Sequence, residues 1–576
     1  MTANVSTSIA QRITDALCSP GVHEIDVAQA SPGSPHAEEV EAADIASALA
    51  KSEAKASLLI FRNARLARML NLSHLKTSVG ISFEDCELAG GFKFTSASAG
   101  AVTFTSSQVS SIRLAHTEIT SLRIERSEVE FIDAPGLQVK DSITIHESKV
   151  RFDPSDSSSI RLQDSTIGGS LAITRTQCAG RIDIAGSRTS FNLDLKGTTA
   201  RSDDNRAAID VKRAEIRLDL RASTDFECHG TFDLFGTSVG GQVWLNSASL
   251  RKGDGRYALN APLLTVGGGF YCRGLSAIDG SINLAGATIA ATLEFNDSPQ
   301  STTSSLIIRA DTIHVGSNIF FNGARVSKAH FESSRIERSL DFEGCEFVDQ
   351  SAVSIARSKI EHFILPPNGR QPETVDLRGA HCVEFSDNPN CPPKTLLLQD
   401  FSYNAMQPTA QPKARLAWLR RDTSGLSSSS FETLARNYRA SGDERGARKV
   451  LLAKQRHLRD IGHWSARPWS YIQDAFVGYG YAPGRAFLLL ASIVTALSLF
   501  YWKVAPPVPL DAAKAPAFNP IPYAIDVLLP ILDLGFEKTY QPEGVGRTVT
   551  WVAVVVGWVL ATAVITAVGR LFSRDR

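Results

Sequence analysis

The chain has 576 residues, 43% hydrophobic and 21% charged, and its 60 basic and 60 acidic side chains cancel. The zero hides an asymmetry: from Lys413 onward 21 Lys/Arg stand against 12 Asp/Glu, which leaves 39 basic and 48 acidic side chains in residues 1–412. An acidic body joined to a basic C-terminal part argues against a nucleic-acid-binding body and suits a basic neck beside anionic lipid.

Met1–Ala30 is rich in Ser, Thr and Ala with scattered charges and lacks the unbroken apolar core of a secretory signal peptide. Residues 1–57 are expected to form a tail and cap helices. Either the apolar Leu58–Leu72 stretch, read as helical, or an Ala37–Ala50 helix before it would close the N-terminal end of the repeats. The eight cysteines contain no C-x-x-C pair. Most stand alone in apolar strand patterns, as small core residues do in a reducing compartment. Cys382 and Cys391 beside His381 form the one local cluster; a metal site would want a second close ligand pair, so packing is the reading and no metal ligand is assigned.

From about residue 58 to 380 one short phrase recurs: apolar, any, apolar, then a small-residue corner. Ile81-Ser82-Phe83, Phe92-Lys93-Phe94, Val102-Thr103-Phe104, Ile112-Arg113-Leu114 and Leu122-Arg123-Ile124 start ten or eleven positions apart. The phrase returns in Leu171-Ala172-Ile173, Ile182-Asp183-Ile184, Leu193-Asp194-Leu195, Ile282-Asn283-Leu284 and Leu293-Glu294-Phe295. Period-two alternation turns one face of each short strand inward, and so regular a beat marks stacked coils instead of a sandwich. The fold class is therefore mainly β: a long β-solenoid over 58–400, right-handed as such coils usually are. Glycine pairs at Gly90, Gly168, Gly240 and Gly267–Gly269 precede strands. Gly186, Gly286, Gly323, Gly344 and Gly379, each before Ala, Ser or Cys, follow them. Both sets read as corners where φ > 0 or a missing side chain is needed. The Pro-rich Pro366–Pro393 stretch is expected to close the C-terminal end. Outward positions look mixed, with no aromatic ladder and no line of carboxylates at repeat spacing.

After residue 412 the beat stops. Ser430–Ala440 and Glu444–Asp460 read as a helical hairpin about Gly442-Asp443, with Leu434, Tyr438, Val450 and Leu451 on its seams. This basic neck, 401–484, holds 13 basic and 5 acidic residues between Lys413 and Arg467. Arg448, Lys449, Lys454, Arg456 and Arg459 are its candidate lipid contacts, each basic side chain near an anionic surface being worth about 1 kcal/mol. Residues 485–576 read as a two-span anchor. Ala486–Trp502 and Thr548–Gly569 are uncharged runs, flanked by Arg485 and Lys503 and by Arg547 and Arg570. Basic flanks place both chain ends on the cytoplasmic side. Between the spans, Pro520–Gly535 carries Asp526 and Asp533, seven apart on one predicted helical face. They would line an ion path if the segment is re-entrant, or face water if it is an interfacial helix.

Motifs for chemistry fail on context. Gly236-Thr237-Ser238-Val239-Gly240 has the G-x-S-x-G pattern but sits where other repeat corners sit. Gly267–Cys272 misses the final glycine of a dinucleotide loop. Val477-Gly478-Tyr479-Gly480 looks like a potassium-filter signature yet precedes the first span, so it reads as a juxtamembrane turn. His146, His314 and His330 fall in strand phrases and read as surface or satisfied core residues. No catalytic or cofactor-binding residue and no cofactor is assigned.

The chain resembles a family of bacterial membrane proteins with pentapeptide-like β-helical repeats, often labelled "membrane-associated oxidoreductase". The resemblance runs from Phe61-Arg62-Asn63-Ala64 onward. It is carried best by Tyr438-Arg439 with Gly442, Arg448 with Val450-Leu451, Gly478-Tyr479-Gly480 with Pro483 and Arg485, Leu529-Pro530 with Asp533-Leu534, and Gly557-Trp558 with Leu560 and Thr562. It implies the architecture above and a bacterial inner membrane. The repeats depart from the strict A-[DN]-L-x-x form, and no cofactor motif accompanies the oxidoreductase label. The leading expectation is a non-catalytic scaffold whose partners are the anionic inner leaflet and a protein partner or further copies of itself, with no nucleic acid. The alternatives are a small oligomeric channel gated by the solenoid and an enzyme with an unrecognised site.

Overall fold

The computed structural model describes residues 9–26, 42, 45, 46, 49, 55–202, 206–252, 255–278, 280–296, 305–425, 427–461, 470, 471, 483–511, 515–529 and 532–572. They divide into two compact units, Met1–Pro408 with Arg421–Gly425, and Thr409–Arg420 with Leu426–Arg576.

The first unit is a parallel β-solenoid of about 15 turns. Its buried positions come in pairs, and each pair starts five positions after the last: Ile112 and Leu114, Thr117 and Ile119, Leu122 and Ile124, Ser127 and Val129, Ile132 and Ala134. Each pair is one extended step with its alternate side chains inward, and a corner then redirects the chain. Leu122 pairs with Val102 on one side and Ile143 on the other, so one turn runs from Val102 to Leu122 and the next from there to Ile143. Four buried pairs fit into each, which gives the turn four sides, and the beat heard in the sequence is half a turn. Val102 and Leu122 stack in one sheet while Ile112 and Ile132 stack in the other. Turn length is not constant. The turns Leu193 to Leu220 and Val243 to Phe270 are longer than Leu220 to Val243, and all three exceed Val102 to Leu122.

Stacking like on like fills the bore. Phe61, Phe83 and Phe104 lie face to face at 5.4 Å intervals, as do Phe295, Phe321 and Phe342 at 5.4 and 4.5 Å. One inner column is polar. Ser107 and Ser127 accept from the backbone N–H of the turn before through their hydroxyl oxygens, at 3.1 Å from Cys86 and from Ser107. The hydroxyls donate in turn to the carbonyls of Thr105 and Glu125 at 2.9 and 2.8 Å. A buried hydroxyl with both functions used is not penalised for leaving water.

The corner glycines split into two kinds. Gly186, Gly286, Gly323, Gly344 and Gly379 have φ between 65° and 73°, the expected left-handed corner. At Gly168, Gly240 and Gly267 space is the constraint: a methyl there would meet the backbone oxygen of the adjacent turn at 2.1–2.3 Å.

One of the two readings of the N-terminal end fails, and so does the reading of the C-terminal end. Leu58–Leu72 is not helical: Ala56–Arg62, Arg65–Leu66 and Leu70–Asn71 are strands of the first turns. Leu59 and Phe61, Ala64 and Leu66, and Leu70 and Leu72 are its buried pairs, with Asn63 turning the corner at φ 53°. Ahead of it the helix Ile9–Cys18 buries Ile13 and Leu17, and Gly21–Asp26 pairs with Ala56–Arg62. Of Ala37–Ala50 only Ala42, Ile45, Ala46 and Leu49 are described; all are helical. Nor does Pro366–Pro393 end the solenoid, because His381–Ser386 and Thr395–Leu397 continue it. Ser402–Gln407, expected in the neck, pairs with His381–Ser386 and belongs to the stack as well. Residues 421–425 then return to the last turn: the Leu396 N–H donates to Arg421 O, and Leu396 O accepts from the Thr423 N–H.

In the second unit the helices Ser428–Ala440 and Glu444–Ile461 form the expected hairpin, with Leu434, Tyr438, Val450 and Leu451 buried and Gly442 at φ 80°. A helix Pro412–Leu419, not foreseen, precedes them, and the Tyr438 hydroxyl donates to Ala410 O at 2.6 Å. Further on lie the helices Pro483–Lys503, Pro520–Leu528, Phe536–Thr539 and Val545–Phe572. Among the described residues one helix, Val545–Thr562, is long and apolar enough to cross a membrane; Leu488–Lys503 is a shorter apolar stretch.

The two kinds of glycine respond differently to substitution. Gly236 (φ 64°) stacks between Arg213 and Leu263, which hold the same left-handed corner with side chains, so Gly236→Asn should shift stability by under about 1 kcal/mol. Gly240→Ala drives a methyl to 2.3 Å from Arg217 O and should cost about 1–3 kcal/mol. Thermal or urea unfolding followed by circular dichroism measures both; equal losses would refute the distinction.

Candidate functional site

On the outer face of one sheet, Asp133, Arg161, Asp183, Asp210, Asp233, Asn260 and Asn283 occupy the same place in successive turns, each pairing backbone to backbone with the next. Parallel neighbours lie about 4.8 Å apart, so carboxylates stacked this way repel unless cations intervene. Lys212 intervenes, with Nζ 3.1 Å from Asp210 and 3.4 Å from Asp233. Arg181 lies 3.6 Å from Asp183, and Gln163 donates to that same carboxylate at 2.6 Å. Arg161 reaches both Asp133 at 2.7 Å and Asp156 at 3.0 Å. Asn260 donates to Asp233, and Asn283 to Asn260, at 3.1 and 3.0 Å.

From Arg161 to Asn260 this column floors a depression of about 610 Å³, with Arg206, Thr231, Arg256 and Tyr257 also in its lining. Asp183, Asp210 and Asp233 are buried. Burial, then the neighbouring Asp210, pushes the Asp183 carboxyl above its usual range. Burial works to lower the Lys212 ammonium, but Asp210 and Asp233 outweigh it and hold it raised. Arg206 donates to Asp156 O at 2.7 Å, and Arg256 is exposed at the rim. The carboxylates already have donors, and no imidazole or thiol lines the depression. It is a polar surface on which each carboxylate already faces a cation or an amide donor.

A second ladder, shorter and aromatic, stands on the other sheet. Trp244 and Tyr271 pair in adjacent turns with ring centroids 4.5 Å apart and planes 22° apart. The guanidinium of Arg273 lies 5.9 Å from the Tyr271 ring and is tied to Glu294 at 2.7 Å. Neither set recurs at a fixed repeat spacing, as expected from the sequence, yet register brings its members together. Carboxylates occupy three consecutive turns and aromatics two, and because those turns differ in length no fixed period reveals them.

Asp526 and Asp533 do not share a helical face. The helix Pro520–Leu528 stops before Asp533. Asp526 is buried and accepts from the backbone N–H groups of Leu534 and Glu537, both at 2.8 Å. Asp533 is exposed, ion-paired with Lys538, and accepts from the Gly535 N–H at 3.1 Å. Of the basic neck residues, Arg448, Lys449 and Arg456 are exposed. Lys454 instead pairs with Glu432 at 2.7 Å, and Arg459 lies 4.1 Å over the Tyr471 ring. Gly236–Gly240 is a solenoid corner, with Ser238 exposed in the short strand Ser238–Val239. Val477–Gly480 lies outside the described residues. Cys382 is buried and Cys391 exposed; six of the eight thiols are buried and all eight are free. Burial raises Cys86 to about 11 and Cys178 and Cys382 to about 12.

Comparison of the chain with protein-family models, curated proteins and solved structures returned no match.

Two measurements check this picture. Thiol titration of the native chain at pH 8 should modify Cys18 and Cys391 alone, and all eight once it is unfolded; fast labelling of a third thiol would show a solenoid looser than described. The second concerns Asp183. Its charged form is less favoured in the fold than in the unfolded chain, so its contribution to stability falls as pH rises through the raised carboxyl value. Asp183→Asn, which keeps an acceptor oxygen, should therefore gain relative to the parent at pH 7 compared with pH 3. A larger benefit at pH 3 would reverse the sign of the argument.

Proposed function

We propose that the chain is a non-catalytic scaffold. In this reading the solenoid lies on the cytoplasmic side of a bacterial inner membrane, held by two C-terminal helices with both chain ends inside. It offers its ladders to a protein partner or to further copies. The observation that carries the reading is the outer face of Val545–Phe572, where Trp551, Val552, Val555 and Trp558 are 57–65% exposed. Contiguous apolar area of that kind is uncommon on a soluble monomer and marks a membrane or partner contact.

Leu488, Leu499 and Trp502 on Pro483–Lys503 are also exposed, which supports that helix as the second span. Trp502 is near the end of its helix, where interfacial aromatics anchor a span. Arg448 and Lys449 supply exposed cations for anionic lipid, while Lys454 and Arg459 are occupied within the unit. The resemblance to bacterial membrane proteins with β-helical repeats agrees with this arrangement. The helix Ile9–Cys18 with its following strand serves as the N-terminal cap.

Fractionation tests the anchor. The full chain should sediment with membranes and resist alkaline carbonate, and a chain ending at residue 482 should move to the supernatant. A full chain that stays soluble would sink the proposal.

A further inference from the structure

With the two apolar helices in a bilayer, as proposed, Pro520–Leu528 lies beside them instead of across their ends. The Tyr523 ring meets that of Tyr501, near the end of Pro483–Lys503, at 4.9 Å. Val527 shares a buried cluster with Ala553. Past it, the Leu528 carbonyl oxygen comes so close to Gly557 that a methyl at Gly557 would lie 1.8 Å away. Gly557 is about 18 Å from Val545 at 1.5 Å per residue, near the middle of the 28-residue helix. The chain therefore runs in to about mid-depth and leaves helical geometry at Leu529. It then comes back, with Leu534 and Glu537 bonded to Asp526 and Tyr540-Gln541 paired with Val508-Pro509.

That return is irregular backbone from Leu532 to Gly535 and a single helical turn from Phe536, and it carries charge. Asp533 and Lys538 are 62% and 75% exposed in the single chain, and Leu532 and Leu534 are 49% and 46% exposed. Acyl chains cannot cover such a face. Non-helical backbone and ion pairs at membrane depth are tolerated only against protein or enclosed water. The face also holds a carboxylate and an ammonium side by side next to apolar side chains. Rotated onto itself, it meets opposite charge with charge and leucine with leucine, the self-complementarity of an isologous contact. We propose that further copies of this chain cover the 532–538 return, so that the C-terminal units assemble in the membrane around it.

Photobleaching steps counted on the fluorescently tagged full chain, at low density in liposomes, test this without any substitution. Two or more steps per spot are expected. In parallel, Leu532→Cys in a chain whose exposed Cys18 and Cys391 are replaced by Ser should give a band at twice the chain mass with a short bis-maleimide, and Leu499→Cys should not. Single-step spots from membrane-embedded chain overturn the assembly while leaving the anchor intact. A chain that never enters the liposomes overturns the anchor, and this inference with it.

Discussion

Every paired strand residue of the solenoid has a counterpart one turn away, about one strand spacing distant along the stack, and that enforced proximity governs the first unit. Whatever stands at a position meets its counterparts above and below. Phenylalanines stack, as Phe61, Phe83 and Phe104 do. Serines can pass a hydrogen bond from turn to turn. A backbone that must lie against another admits only glycine or a tiny side chain, as at Gly240 and Gly267. Like charges would repel, so the Asp183–Asp210–Asp233 run is tolerated only with Arg181, Gln163 and Lys212 threaded beside it. Side chains of one kind gather here into columns, because register makes them so.

The same constraint explains what could be read in advance. The half-turn beat was audible because sides such as Leu122 with Ile124 turn two large apolar residues inward. The sides between them turn Thr117 with Ile119, or Ser127 with Val129. A hydroxyl in the bore breaks an apolar pattern without breaking the packing, so a four-sided turn sounded like a two-sided one. Leu58–Leu72 looked helical because apolar residues crowd it; the i, i+2 pairing of Leu59 with Phe61 and of Ala64 with Leu66 was the better sign. The hairpin limits were legible, since Gly442 and Asp443 supply a left-handed stop and a cap to the Gly446 N–H at 2.7 Å.

Ladders and charges were the least legible. Insertions lengthen some turns and not others: Val102 to Leu122 is a short one and Ile143 to Leu171 a long one, so in-register residues share no sequence period. In the neck, counting cations overstated what is free. Lys454 is bound to Glu432, and Arg459 covers an aromatic ring, so a run of basic residues in sequence is not yet a basic surface. Such contacts decide which of the neck's charges stay exposed, Arg448 and Lys449 among them.

The C-terminal unit turns on a different contact. A helix that stops partway along its neighbours leaves its last carbonyls without intrahelical partners, and a chain that turns back there must also satisfy fresh N–H groups. Asp526, near the end of Pro520–Leu528, takes two of those N–H groups with its two carboxylate oxygens. Gly557 does the rest. In a helix otherwise rich in Val and Trp, it is where a carbonyl can press against the helix backbone. Remove either and the half-helix loses its reason to lie between the two long ones. Both were visible as letters, but their meeting depends on a chain reversal that periodicity cannot encode. An aspartate and a glycine thirty-one positions apart set how far along the long helices this segment reaches, and with it which side chains its return leaves exposed.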